Sequence, residues 1–249
     1  MSSRLYLSIS ALLMLLVGSS LPLQAARPAL TLTTAALPPL GPSSTRMGFL
    51  QRVLESAFDS IGYDVEIIVL PGERALLNAN SGLDDGDAFR APGFEDAYPN
   101  LIRVPEKIGV MEFMAYSSPG AKIGRVTWKG LRDYTVAYAN GWKIYERNVQ
   151  AEEVTVVRNI KYLFPLLEQE RADIVLLDRW QGLYMAKKQG VKVKLLEPPL
   201  AKVDMYMYLH KKHDALVSKV VTVLRKMKQD GTYDEIMSAE LEQHNYMSN

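Results

Sequence analysis

Along most of this chain the spacing of hydrophobic and polar positions switches between period 2 and period 3.6, segment by segment. Leu30 to Thr34 alternates as a half-buried strand does. After a Pro/Gly/Ser loop in which Ser43, Ser44 or Thr45 can cap a helix, Phe49, Leu50, Val53, Leu54, Ala57, Phe58 and Ile61 fall on one helical face, and Gly62 ends the run. Tyr63 to Leu70 predicts a second strand, stopped by Pro71-Gly72. A short helix follows from Glu73 to Asn80, then a strand near Ala88-Phe89. This β-α-β-α-β order calls for parallel strands joined by crossover helices.

Leu101 to Tyr116 is a long extended apolar stretch, after which the alternation restarts. A short helical turn (Trp128 to Arg132) leads to a strand from Tyr134 to Tyr138 and, past Asn140-Gly141, a helix to about Gln150. Val154 to Val157 and Ile174 to Leu177 read as strands, Tyr162 to Glu170 and Arg179 to Gln189 as helices. Pro165 fits only within a first helical turn. Val191 to Leu196 and Val203 to Leu209 are extended again. A last helix from Asp214 carries Leu216, Val217, Val220, Val221, Leu224 and Met227 on one face. Two successive α/β units plus a terminal helix predict two lobes, with crossovers near residues 110–118 and 200–210.

The chain has 249 residues, 48% of them hydrophobic, which supports a substantial core. Met1 to Ala25 reads as a cleaved secretory signal peptide: Arg4, an apolar run from Ile9 to Val17, helix breakers, then Leu23-Gln24-Ala25. Its removal leaves 28 basic and 28 acidic residues, so the electrostatic footprint of a nucleic-acid binder is absent. With no Cys there is no disulfide, thiolate site or N-terminal lipid anchor. The three His do not compose a metal centre; His210-Lys-Lys-His213 reads as surface, and no metal or cofactor is expected. The expectation is an exported, periplasmic monomer.

Several local motifs, taken in order, resemble the periplasmic solute-binding proteins of family 3, the amino-acid-binding type. They are Leu30-Thr-Leu-Thr-Thr34; Leu70-Pro-Gly-Glu-Arg-Ala-Leu76 with Asp85-Gly-Asp87; Tyr98 to Glu106; Trp128-Lys-Gly-Leu131; the Ala172-Asp-Ile-Val-Leu-Leu-Asp178 segment; and Asp230-Gly-Thr-Tyr233. The resemblance covers nearly all of residues 29–240. It implies an α/β, two-lobed periplasmic binding protein-like (type II) fold with two hinge crossovers. Lobe 1 would span 26–112, lobe 2 113–203, and 204–249 would return to lobe 1 with the C-terminal helix. The family's first-lobe Thr-x-Thr is missing, since the chain reads Asp87-Ala-Phe-Arg-Ala-Pro-Gly-Phe-Glu95, and its lobe 2 Gly-Thr is Gly141-Trp142. The clamp for an α-amino acid is only partly present, so the ligand class stays open.

Six positions carry the main candidate chemistry. Arg90 follows a strand, where side chains point into the crevice of α/β folds, and its planar fork suits a carboxylate; the structural alternative is a pairing with Glu95 or Asp96. Arg74, at the start of a helix, could reach the same cleft. Gly141 and Trp142 open a helix whose free N–H groups suit an anion, the indole adding a flat face, and Tyr138 is a weaker neighbour. Asp178 ends an apolar strand and can take a ligand ammonium, as the resemblance implies, or cap the helix at Arg179. Glu112, a charge within the apolar hinge stretch, is a candidate to contact ligand or bridge lobes; Asp173 reads as a turn residue.

The resulting expectation is capture of a small polar ligand, amino-acid-like or another carboxylate, between the lobes, for an ABC permease or a membrane sensor. An enzyme on the same scaffold, similar to cyclohexadienyl dehydratases, and a ligand-free interaction module are the alternatives.

Overall fold

The computed structural model describes residues 26–35, 38–43 and 47–243; the signal-peptide segment and the Ser44 and Thr45 cap positions lie outside them. Strand β1 (Ala29–Thr34) pairs in parallel with β2 (Asp64–Val69) and β3 (Gly86–Arg90), with α1 (Phe49–Asp59) and α2 (Gly72–Ser81) as the crossovers. The long strand β4 (Leu101–Ser117) follows. The second unit holds β5 (Val136–Ala139), α3 (Lys143–Asn148), β6 (Val154–Val157), α4 (Leu163–Glu168), β7 (Ile174–Asp178) and α5 (Arg179–Gln189). A second long strand, β8 (Lys194–His210), leads to α6 (Asp214–Gln229) and α7 (Thr232–Gln243). All strands join one eight-stranded sheet in the order β2-β1-β3-β8-β4-β7-β5-β6.

β4 and β8 form the spine between the lobes. They pair antiparallel from Leu101–His210 to Ser117–Lys194, so each strand runs through both lobes. The sequence pattern had split β8 into two extended pieces at Glu197-Pro198-Pro199, because proline withholds a ladder donor. The strand is continuous instead, with the registry shifting between Phe113 and Ala115 of its partner.

The lobe 1 core packs α1, α6 and α7 onto the sheet through Leu32, Phe49, Leu50, Phe58, Val104 and Leu224. The N-cap position of α1 is Gly48, which has no side chain to cap with. Phe49 and Leu50 donate their N–H groups to the carbonyls of Pro39 and Leu40, at 3.1 and 2.9 Å, because the loop folds back on the helix. Gly48 permits that fold: a Cβ there would lie 2.2 Å from the Gly41 carbonyl oxygen. Helix α7 was not predicted. Gly231 (φ +88°) breaks α6, and Asp230 accepts from the Thr232 N–H at 3.1 Å to start the next helix. Its inward stripe, the half-buried Tyr233, Ile236 and Met237 with the buried Leu241, lies beside the buried carboxylate of Glu240, which masks the apolar period.

In lobe 2 the sheet is covered on both faces. Val175 and Leu177 of β7, with Met114 and Tyr116 of β4, pack under α4 and α5. The alternate residues, Ile174, Leu176, Phe113 and Ala115, pack on the other side with Leu131 and Tyr145. Burial on both faces is why these strands read as continuous apolar runs. Among the described residues no helix is long and apolar enough to cross a membrane.

Candidate functional site

The sheet order puts β3 and β7 on opposite sides of the spine, so the C-terminal residue of each, Arg90 and Asp178, flanks it from its own lobe. They do not touch. Every partner of Arg90 lies in lobe 1 and every partner of Asp178 in lobe 2 or on the spine.

Arg90 pairs with neither Glu95 nor Asp96. Its Nε and Nη2 donate to one oxygen of Asp87, at 3.1 and 3.0 Å, and Nη2 also donates to the Gly72 carbonyl at 3.0 Å. Asp87 is wholly buried, and that burial pushes its carboxyl above the usual range against the pull of Arg90. Thr33 Oγ1 sits 3.3 Å from the same carboxylate oxygen. Arg90 thus ties β3 to the start of α2 and compensates an internal charge, while Nη1 has no hydrogen-bond partner among the described residues. Arg74 is exposed on α2.

Asp178 is in the opposite condition. It is 1% exposed. One oxygen, Oδ1, caps α5 by accepting the N–H groups of Trp180 and Gln181 at 3.1 and 3.2 Å. The other, Oδ2, is buried without a partner, and so is the hydroxyl of Tyr145. Burial raises the Asp178 carboxyl to about 7, although the two backbone N–H groups favour the anion. Tyr145 is pushed well above its ordinary value by burial and then by the charge of Asp178.

Asp178 is held in place from the spine. Phe113 of β4 is its partner in the ladder, and the Tyr116 hydroxyl donates to the Asp178 and Arg179 carbonyls at 3.1 and 2.9 Å. That hydroxyl fits only because residue 182 is glycine; a Cβ there would lie 2.1 Å from it. Arg179 pairs with Glu112 of β4 and, at 2.7 Å, with Glu197 of β8. Lys202 closes the cluster on Glu112 at 2.5 Å. Burial alone raises Glu112, but Lys202 and Arg179 hold it below the usual carboxylate range. Glu112 is therefore a spine residue tied to the start of α5. The next residue, Trp180, packs against the lobe 1 core and so joins the two lobes directly.

This arrangement of two sheet halves about two long strands has counterparts among solved structures. An ancestral arginine-binding protein bound to glutamine superposes with a TM-score of 0.68 at 20% identity, over 86% of this chain and 98% of that one. The GluR0 ligand-binding core in complex with L-glutamate gives 0.73 at 15% identity over 87% and 99%. A histidine kinase sensor domain similar to periplasmic binding proteins gives 0.68 at 12% identity over 86% and 96%. The chain has the two-lobed fold of periplasmic binding proteins. An uncharacterized protein of Shewanella oneidensis is 27% identical over 198 residues, 74% of this chain and 72% of that protein. No family model matches.

Of the remaining sequence candidates, Tyr138, Gly141, Trp142 and Asp173 lie in lobe 2. Tyr138 is buried in β5, and burial raises its hydroxyl. Trp142 precedes α3 and stacks on Tyr145 at 5.6 Å, with Phe113 edge-on at 6.0 Å, so its ring is part of the packing. The Gly141 N–H, read from sequence as open to an anion, donates to Glu146 of its own helix at 2.9 Å. Asp173 bonds the Thr135 N–H and hydroxyl, both at 2.8 Å. His210 accepts from the Lys212 N–H, whereas His213 pairs with Asp85 at 2.7 Å, so the two do not converge.

Sequence reasoning missed Tyr145, Arg179, Trp180 and Gln181. The signal for the last lay in the helix that Asp178 caps: Gln181, Tyr184, Met185 and Lys188 recur at i, i+3, i+4 and i+7. These four line a groove between the lobes, facing Pro38, Pro42 and Val69 of lobe 1.

Proposed function

We propose that this protein is an exported binding protein that captures a small polar ligand, amino-acid-like or another carboxylate, between its lobes and presents it to a membrane permease or sensor. The observation that carries the reading is Asp178: a buried carboxylate oxygen at the C-terminal end of β7, without a partner. Leaving such a group unmatched is costly, and a ligand ammonium supplies the missing donor. Arg90 offers Nη1 to a ligand carboxylate while Asp87 fixes its plane. Gly141, Trp142 and Tyr138 shape the lobe 2 wall, and Arg74 adds positive charge at the mouth. Opening about β4 and β8 draws Trp180 off lobe 1 and admits the ligand; closure converts occupancy into a shape that a partner reads.

The test is a thermal-shift screen of residues 26–249 against amino acids and organic acids. A ligand at ~100 times its dissociation constant adds about 2.7 kcal/mol. The Asp178→Asn variant is expected to lose the response to any amino acid that stabilises the parent. A hit unaffected by that substitution removes Asp178 from the site.

One observation favours a second reading. A carboxyl raised to about 7 at the end of a strand is also what a general acid needs, so an enzyme similar to the dehydratases is tested directly, by assaying prephenate for loss of carboxyl and water.

A further inference from the structure

With Trp180 seated on lobe 1, a groove of about 600 Å³ persists between the lobes, within the range of small-molecule sites. Its lobe 1 wall is mostly apolar, with Pro38, Pro42, Ile67 and Val69 beside Ser43; its lobe 2 wall adds Ile160, Tyr184 and Met185. Val69 is 43% exposed although it ends a sheet strand, so this wall presents apolar surface to solvent.

Polar groups interrupt the apolar lining: Ser43, Asn159, Gln181 and two lysines. Lys161 and Lys188 stand at the rim, and no Asp or Glu lines the groove among the described residues. Neither lysine has a carboxylate partner among the described residues; each lies over a tyrosine ring, Lys161 at 4.9 Å from Tyr162 and Lys188 at 5.6 Å from Tyr184. Gln181 is 4% exposed, lines the groove, and its carboxamide has no hydrogen-bond partner among the described residues. Facing the groove, that amide is open to a polar atom of a ligand. The backbone N–H of the same residue holds the Asp178 carboxylate at 3.2 Å.

From this groove we infer that the ligand is an organic acid with a sizeable apolar body, a medium-chain aliphatic or aryl-alkyl carboxylate. Its hydrocarbon lies between Pro38, Val69 and Met185, and its carboxylate meets Gln181 and the two lysines. The inference rests on the reading that ligand binds between the lobes, and it narrows the ligand class there. A compact amino acid would leave the apolar walls uncovered. The acids excluded from the lining also repel nothing anionic, whereas a cationic ligand would meet two like charges.

The experiment titrates residues 26–249 with octanoate, 3-phenylpropionate, octylammonium, glutamine and arginine, by calorimetry and thermal shift. Octanoate or 3-phenylpropionate is expected to bind and octylammonium not to. The exposed pair Lys161→Glu/Lys188→Glu is expected to weaken the carboxylate about tenfold or more, and Gln181→Leu about tenfold, as loss of a charge-assisted hydrogen bond does. Thermal unfolding in the absence of ligand verifies that each variant is folded. Equal binding of octylammonium, or octanoate affinity unchanged in the lysine variant, overturns the inference. Binding of glutamine or arginine that depends on Asp178, with both apolar carboxylates inert, overturns it too while leaving the capture reading standing. No binding by any probe removes both.

Discussion

Arg90 in lobe 1 and Asp178 in lobe 2 occupy matching places, each the last residue of a strand beside the spine, yet the protein treats their charges in opposite ways. Arg90 is matched from within, by a wholly buried Asp87 and the Gly72 carbonyl. Asp178 is matched by half: one oxygen caps α5 and the other has nothing. A compensated charge stabilises the lobe that holds it, whereas an uncompensated one stores a cost that a ligand can relieve. Position in the fold therefore does not assign a role; the partner of each charge does.

The comparison predicts substitutions of opposite sign. The largest effect is expected at Arg90. Arg90→Gln strands the buried Asp87 carboxylate and is expected to cost about 3 kcal/mol in urea unfolding at neutral pH. Adding Asp87→Asn to it should recover part of the loss, since the stranded charge goes with it. A loss below ~1 kcal/mol would mean that the pair is a surface ornament and that the contrast between lobes is false.

Removing the charge at Asp178 should do the reverse. Its carboxyl moves from 3.8 to about 7 on folding, so between those values the native state holds a proton that the unfolded chain has released. Stability consequently falls as pH rises through that window. Asp178→Asn keeps the cap oxygen and is expected to gain about 2 kcal/mol at pH 8 over the parent, and nothing near pH 3. Parallel unfolding curves for the two proteins across pH 3 to 8 would show that Asp178 has a partner after all.

Gly182→Ala probes what keeps the Asp178 corner in place. The new methyl meets the Tyr116 hydroxyl, itself bonded to the Asp178 and Arg179 carbonyls, so a loss of about 2 kcal/mol is expected, with the amide of Asp178 exchanging faster. The smallest effect belongs to the half-exposed Lys107–Asp204 pair on the lobe 1 side of the spine. Lys107→Met is expected to change stability by less than ~0.5 kcal/mol and to fade further in salt.

Much of the fold was legible in the sequence, because its elements are set by local period. The one-sided stripe from Phe49 to Phe58 makes α1, and the unbroken run Ile174 to Leu177 makes a strand buried on both faces. The order of those units implied two lobes. Misreadings fell where a long-range contact overrides a local signal. Proline at 198 and 199 looked like a break, but β8 continues through it because β4 supplies the ladder on either side. The stripe of α7 was hidden by Glu240, a carboxylate buried against Arg52 at 3.3 Å.

For the site, the residue types and their places at strand ends followed from sequence: an acid at 178, a cation at 90, a glycine turn at 141. Which of them is free did not. That depends on residues distant in the chain: Gly72 accepting from Arg90, Glu112 and Glu197 gripping Arg179. It depends also on Glu146, which takes the Gly141 N–H before any ligand can. The groove beside α5 joins Pro38, Val69 and Lys188, which only tertiary structure brings to one place. Periodicity is a property of neighbours along the chain and is written in the sequence. Charge compensation and pocket shape are properties of neighbours in space, and only the folded chain decides them.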